Sequence, residues 1–588
     1  MWWKVIIVLL VTEISLSGQD RYGVAEILNF LGAEHPEEVN EEEVERLADY
    51  FQRPLKINQA TLDRLVDSGL MDRYKAMSLV DYRARHGDVL SKVELSLVDG
   101  FGESFVQTLL PFISFESAML PGQRKRDKYL WDTDLHFKGG MKYSDGSQWM
   151  SGVKSKFEYG DRMAASLAIN SPYGQFSPDK FNYSASMLLR FPRIHTRLVL
   201  GDFNARFGQG LLLWNGLSLS SLSSPSAFMK NPVGLSLSSS YTGNYAFTGI
   251  GFESNFGKYV MSAILALPDI KNRSDVSLMP ALNIARYTRH GHIAMTHYSR
   301  ISGFYPGRPR DILHRSSADT RWCIRGVDIF GECAYDWDSH KAAALVGTIF
   351  PAGEALKFST MLRYYPASFN SDYSGAVYSV SSASNEYSIS MSSELNVSRN
   401  HRFVLTLDGA HLPTEKKNDR GGSMQFKGLF TWQGTVTEWL SMKLRVTERY
   451  RTWSEAFRTD LRLDLLSEFG DFRLNTRLNS LSCSAWGFLS YMEGGYDHGQ
   501  IALWLRQGIF IIDDWDDRIY AYERSAPGSF KVPAYYGRGL WTAFTMSSKL
   551  SALCKLYLRA AYTAYPFMSA EKRKPGKAEL ELYSIFSF

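Results

Sequence analysis

Met442-Lys-Leu-Arg-Val-Thr-Glu-Arg-Tyr450 decides the fold, because apolar residues stand at Met442, Leu444, Val446 and Tyr450 while Lys443, Arg445, Thr447 and Arg449 fill the places between. A period of two sends alternate side chains to opposite faces of a β-strand. The same alternation runs through residues 131–137, 356–364 and 472–478. It begins after the basic stretch Arg124, Lys125, Arg126, Lys128 and continues to the last residue, about 460 positions in all.

A water-soluble sandwich also alternates, so the period alone does not name the solvent on each face. Three further features favour a bilayer. The segments reach about ten residues and keep recurring, which is more than one sandwich needs. Aromatic residues crowd the segment ends, as at Trp149, Tyr159, Tyr364, Tyr365, Tyr450 and Trp453, where interfacial girdles want them. Charged residues alternate into the intended membrane depth, which only a polar lumen tolerates. An open sheet edge would leave backbone groups unpaired in hydrocarbon, so the sheet is expected to close. The expected fold is mainly β: a large closed antiparallel transmembrane β-barrel at residues 129–588, of about 22 strands and within a range of about 18 to 26. No apolar run approaches the roughly 20 residues of a spanning helix.

The longest apolar run, residues 5–11, follows Lys4 and precedes Ser15, Ser17 and Gly18. That order predicts an export leader at 1–18, with no Cys at the junction to take a lipid. Cys323, Cys333, Cys483 and Cys554 are too sparse for a zinc site or a disulfide scaffold, although Cys323 and Cys333 are placed to meet across a hairpin.

Residues 25–116 have helical spacing instead. One helix is expected from Glu41 to Phe51, burying Val44, Leu47, Ala48 and Phe51 and ended by Pro54, and Asn58 offers an N-cap to the next. The head is acidic: residues 20–116 hold 10 basic and 19 acidic side chains, a net of −9, which leaves +14 for residues 117–588. Such asymmetry concerns partners rather than fold.

Within the head, residues 54–116 resemble tandem helix-hairpin-helix motifs of the ComEA kind. The first unit carries Pro54-Leu-Lys-Ile-Asn-Gln-Ala-Thr61, Leu62, Leu65 and Gly69; the second carries Leu95, Leu97, Val98, Asp99, Gly100, Phe101, Gly102 and Leu109. The resemblance implies a hairpin whose side-chain-free glycines let backbone N–H groups approach a phosphate, with Gly69, Gly100, Phe101 and Gly102 as candidate phosphate or nucleic-acid contacts. Asp72 stands where the first unit would want its second Gly, and residues 54–116 have 7 basic against 9 acidic side chains, so DNA is disfavoured and protein docking in the periplasm preferred. Leader, head and barrel together resemble outer-membrane proteins of Bacteroidota that carry a helix-hairpin-helix domain. The expected division is leader 1–18, helical lead-in 19–53, helix-hairpin-helix domain 54–116, basic linker 117–128 and barrel 129–588.

At the C-terminus Leu580, Leu582, Phe586 and Phe588 share one face opposite Glu581. An aromatic-terminated last strand resembles the assembly signal of outer-membrane barrels, so Phe586 and Phe588 imply the barrel assembly machinery as a partner, with outer-membrane lipid around the wall. Gly208 and Gly210 lead past Trp214 into a Ser-rich run at 217–226, a candidate for a loop folded into the lumen or an ordinary external loop. Nucleophile, base and orienter do not cohere anywhere. His290, His292 and His297 lack carboxylates at ligand spacing, and Asp513, Asp514, Asp516 and Asp517 lack the spacing of a Ca²⁺ loop. A non-enzymatic transport, translocation or envelope-assembly barrel without cofactor or metal is expected, with DNA binding or uptake as the alternative.

Overall fold

The computed structural model describes residues 24–117 and 131–588, apart from positions 34–35, 40, 217–221, 242–245, 269, 271–275, 289, 304–309, 354, 381, 399, 415–422, 527–528, 530 and 569–573. The expected leader, and all but the first residue of the expected linker, lie outside the described residues.

Twenty-four antiparallel strands form a closed barrel, from Trp131–Tyr143 to Lys577–Ser587. Those two strands pair with each other, Leu580 opposite Met141 and Leu582 opposite Gly139, and so remove both edges. The wall has two strands more than the estimate because connections at one end are only two to four residues long, as at 160–162 and 257–258. The opposite end carries the long connections, 207–246, 366–385 and 513–536. Both ends of the wall, Trp131 and Ser587, lie at the short-turn end.

Pleating sorts the side chains as the period requires. In Met279–Tyr287, Leu282 and Ile284 are exposed on the outside while Asn283 and Ala285 are buried within. In Lys577–Ser587, Leu580 and Leu582 face out while Glu579 and Glu581 join ion pairs inside. Exposed aromatics gather towards the two ends of the wall: Trp131, Phe256, Tyr259, Trp439, Phe469 and Phe472 near the short turns, and Trp149, Tyr183, Tyr364, Phe426, Phe457 and Trp486 near the loops. Aliphatic residues such as Leu167, Ile293, Met295, Leu405, Leu461 and Leu505 occupy the outside between them. Tyr365 departs from the expected girdle: its register next to Tyr364 turns it inward, where it is fully buried and its hydroxyl donates to the Val377 carbonyl.

Among its described residues the head holds six α-helices, α1 (Val24–Leu31), α2 (Glu41–Gln52), α3 (Leu62–Asp67), α4 (Arg73–His86), α5 (Lys92–Ser96) and α6 (Gly102–Leu109). Val44, Leu47 and Ala48 of α2 join Leu65, Leu79, Leu95, Val106 and Phe112 in one core. A parallel pair, Leu55–Lys56 with Ile113–Ser114, clasps the two ends of the helical units. Thr61, not Asn58, caps α3, its hydroxyl accepting from the Arg64 N–H. Asn58 is buried instead and ties the units together, since its amide donates to the Val89 and Phe115 carbonyls and accepts from the Val89 N–H. The four cysteines are free: Cys323 faces Asp328 and Cys333 faces Ala318 across the hairpin, five residues out of step with a disulfide.

Candidate functional site

Pleating delivers a row of charged side chains to the inner wall, and the acidic head lies against them. Arg197 binds Asp67 of α3 and Glu253 of the wall, Arg190 also binds Asp67 at 2.7 Å, and Arg73 of α4 reaches Glu253 and Asn255. Arg321 binds Asp72, and Arg64 of α3 makes a two-pronged pair with Glu158 at 3.0 and 2.8 Å. Lys154 binds both oxygens of Glu45 of α2 at 2.7 and 2.9 Å, and Lys156 reaches Asp49 at 2.6 Å. Further towards the loop end, Glu43 meets Arg206, Glu38 meets Arg445, and Glu37 takes Arg462 and Arg477 together with the Tyr522 N–H. The head is wedged in the lumen, with α3 and α4 at the short-turn end and Glu37, Glu38, Glu43 and Glu45 reaching inward.

The pairs Lys154–Glu45, Arg197–Glu253 and Arg321–Asp72 are buried on both sides, so their partners matter more than their number. Burial by itself raises the Glu45 carboxyl, but Lys154 and Lys156 outweigh it and hold that carboxyl well below the ordinary range. Asp72 is likewise held far below it by Arg321 and Lys75 against the desolvation of burial. A buried ion pair adds little net stability, yet removing one partner strands the other and costs about 3–5 kcal/mol. The contacts therefore specify where the head sits.

Asp72 has a second task. It caps α4, accepting the Lys75 N–H at 2.8 Å, so the first hairpin is turned to the wall with an anion of its own in place. Gly69, at φ 67°, packs beside the Arg46 guanidinium. The second hairpin is oriented otherwise: Gly100 and Gly102, at φ 85° and 67°, are exposed, Phe101 is sunk in the head core, and exposed Asp99 and Glu103 flank the turn. A Cβ on Gly100 would lie 2.4 Å from the Tyr74 ring, whereas one on Gly102 would meet open space. Close packing accounts for the first glycine and backbone conformation for the second.

Gly208 and Gly210 belong to a segment folded inside the wall. Glu332, inward on the strand Val327–Asp336, accepts the N–H groups of Gln209, Leu211 and Leu212 at 2.8, 2.9 and 3.2 Å. Leu211, Leu212, Leu213 and Phe228 pack with Phe330, Leu345 and Met361 of the inner wall and with Phe369 and Val377 of the 366–385 connection. Trp214 donates its backbone N–H to the Tyr373 carbonyl at 2.8 Å, and Lys230 lies 4.8 Å from its ring. Burial pushes the Lys230 ammonium down to about 7, with Glu43 opposing the shift and Arg206 adding to it. Beside this packing, a cavity of about 730 Å³ remains between α2 and the wall, lined by Glu43, Asp49, Arg64, Lys156, Glu158 and Arg206 among others.

His292 points inward to Asp319 at 2.9 Å, a carboxylate that sequence spacing did not offer it, whereas His297 is outside with Ser316, so these two histidines lie on opposite faces. Asp517 accepts the Cys483 and Ala485 N–H groups and Asp513 pairs with Arg538, which occupies two of the four loop carboxylates with protein donors. The sequence reading missed Arg197, Arg321, Arg462, Arg477 and Lys154. Their signal was present as inward positions of the alternation in a basic body facing an acidic head.

A closed wall that is apolar and aromatic outside, ionic inside and filled by its own N-terminal domain defines a membrane-spanning β-barrel of the outer-membrane type. No known family and no curated protein matches the chain. Among solved structures it is similar to the siderophore receptor PirA from Pseudomonas aeruginosa (TM-score 0.41, 9% identity, covering 79% of this chain and 81% of that one). It is also similar to the P pilus usher PapC translocation pore (0.35, 8%, 78% and 99%) and to Wzi, an outer-membrane protein of group 1 capsule assembly in Escherichia coli (0.31, 12%, 54% and 80%). Similarity this weak carries no argument about cargo.

Proposed function

We propose that this chain is a non-enzymatic outer-membrane transport barrel kept closed by its own helical head, and that displacement of the head opens the path. The observation that carries this reading is the head's multi-strand ionic seat, from Arg190 and Arg197 to Arg462 and Arg477. Outer-membrane barrels have short periplasmic turns and longer outside loops, which supports a periplasmic side for the short-turn end, where α3 and α4 meet the wall. A periplasmic partner would reach the head at Leu90, Val93 and Leu97, which are exposed apolar residues around α5. The DNA alternative would have to use the hairpin at Gly100, between the Asp99 and Glu103 carboxylates, and duplex binding with a steep salt dependence would support it.

Planar-bilayer conductance tests the plug. The full chain is expected to be closed; deletion of residues 24–116 and the substitution Asp67→Arg, which sets a cation against Arg190 and Arg197, are expected to open it. Equal conductance in all three would overturn the proposal.

A further inference from the structure

Near the loop end the lumen wall carries a cross-strand row of cations. Lys427 stands directly opposite Arg449, and Arg449 directly opposite Arg458, on three neighbouring strands, Ser423–Thr437, Leu440–Arg451 and Ala456–Phe469. Their sequence neighbours Phe426 and Phe457 are exposed on the outside, so the three cations face the lumen. Arg451, two residues beyond Arg449, shares that face.

Like charges directly opposite across strands repel. Elsewhere on this wall such rows are relieved by carboxylates: Arg445 by Glu38, and Arg462 and Arg477 by Glu37 and Asp464. In the upper row Lys427 has Asp408 directly opposite it on the next strand, but among the described residues Arg449, Arg451 and Arg458 make no ion pair with a carboxylate. Arg451 donates to the Gln425 side chain at 2.7 Å, Arg458 donates to the Asp516 carbonyl at 2.7 Å, and the charged groups nearest in effect to Arg449 are Arg451 and Arg458. All four side chains are only half-buried, so the lumen reaches them. The Lys427 side chain also lines a small recess with Thr406, Asp408 and Arg363, whose Nη1 atom is buried without a hydrogen-bond partner.

We propose that Lys427, Arg449, Arg451 and Arg458 form a binding site for a soluble oligoanion bearing phosphate groups, entering from the loop end. Guanidinium groups bind phosphate oxygens in a fork, and a compact, multiply charged group fits a cross-strand row better than a single carboxylate does. The site lies on the same strands as Arg445 and Arg462, two rows above the cations that hold Glu37 and Glu38 of the head, with Thr447 and Asp460 in the row between. The inference names the cargo class of the proposed transport barrel and rests on that reading, but the site can be tested without it.

The test is calorimetric titration of the full protein in detergent with pyrophosphate, beside the double variant Arg449→Gln, Arg458→Gln. Barrel folding is checked by the heat-dependent gel shift. Binding by the unaltered chain, weakened at least about tenfold in the folded variant, is the expected result. Lys427→Gln is the second variant, expected to weaken binding less. Absence of pyrophosphate binding, equal binding by folded variants, or binding only to phosphatidylglycerol vesicles would each overturn the proposal, the last by making lipid the source of the phosphate. The readout is binding rather than conductance, so a barrel that never opens refutes the plug and leaves this site standing.

Discussion

Replacing Glu45 by Gln tests whether the head is held by charge pairing. The Lys154 side chain is fully buried and spends two contacts, 2.7 and 2.9 Å, on the Glu45 carboxylate; Lys156 reaches the same group at 3.1 Å but keeps Asp49. Glu45→Gln leaves Lys154 buried against the Tyr241 ring without its carboxylate, at a cost of about 3–5 kcal/mol to the seated head. At about 1.4 kcal/mol per decade, that shifts the seating equilibrium by roughly a hundredfold to a few thousandfold. Hydrogen exchange of the α2 amides, measured by mass spectrometry on the whole protein, should accelerate by a comparable factor if those amides exchange through unseating. Glu45→Leu combined with Lys154→Met, which removes both charges, should recover most of the protection. Exchange in the single variant within about threefold of the unaltered chain would refute the reasoning.

The same seat predicts a pH profile. The Glu45 and Asp72 carboxyls are held below their ordinary values, so their contribution is present above the ordinary carboxylate range and is lost only as pH falls through the lowered values. Asp49 on α2 is raised by burial, which favours the seated head more as pH falls. Protection of α2 should therefore hold from about pH 8 to 5 and fail only in stronger acid, and loosening within that window would contradict the assignment. Glu332→Ala removes the acceptor of three buried N–H groups and should destabilise the 207–215 segment by on the order of 3 kcal/mol, read as faster proteolysis or exchange of that segment. Gly100→Ala should cost the head more than Gly102→Ala, about 2–3 against about 1 kcal/mol, because both glycines have positive φ but only the first meets a ring; thermal unfolding followed by far-ultraviolet dichroism separates them. Phe588→Ala removes an exposed outer ring and leaves the backbone pair between Phe588 and Thr133 intact, so assembly into vesicles should slow with little change in equilibrium stability.

How much was legible follows from what is local. Alternation such as that at 442–450 is a property of neighbouring residues, and the need to pair every backbone group in lipid turns a long alternating chain into a closed barrel, so wall, faces and approximate strand number could be read directly. So could the acidic head and the basic body. Their meeting could not, because Glu37 finds Arg477 and Asp72 finds Arg321 across hundreds of residues, and periodicity says nothing about which distant charges share a lumen. Asn58 shows the same limit on a smaller scale: it reads as a cap from its neighbours, yet Val89 and Phe115 claim its amide. The sequence by itself determined a charged inner face and two opposite net charges. Only the tertiary structure decided that the head lies within the barrel, because that choice depends on burying each carboxylate beside a particular arginine or lysine of a closed wall.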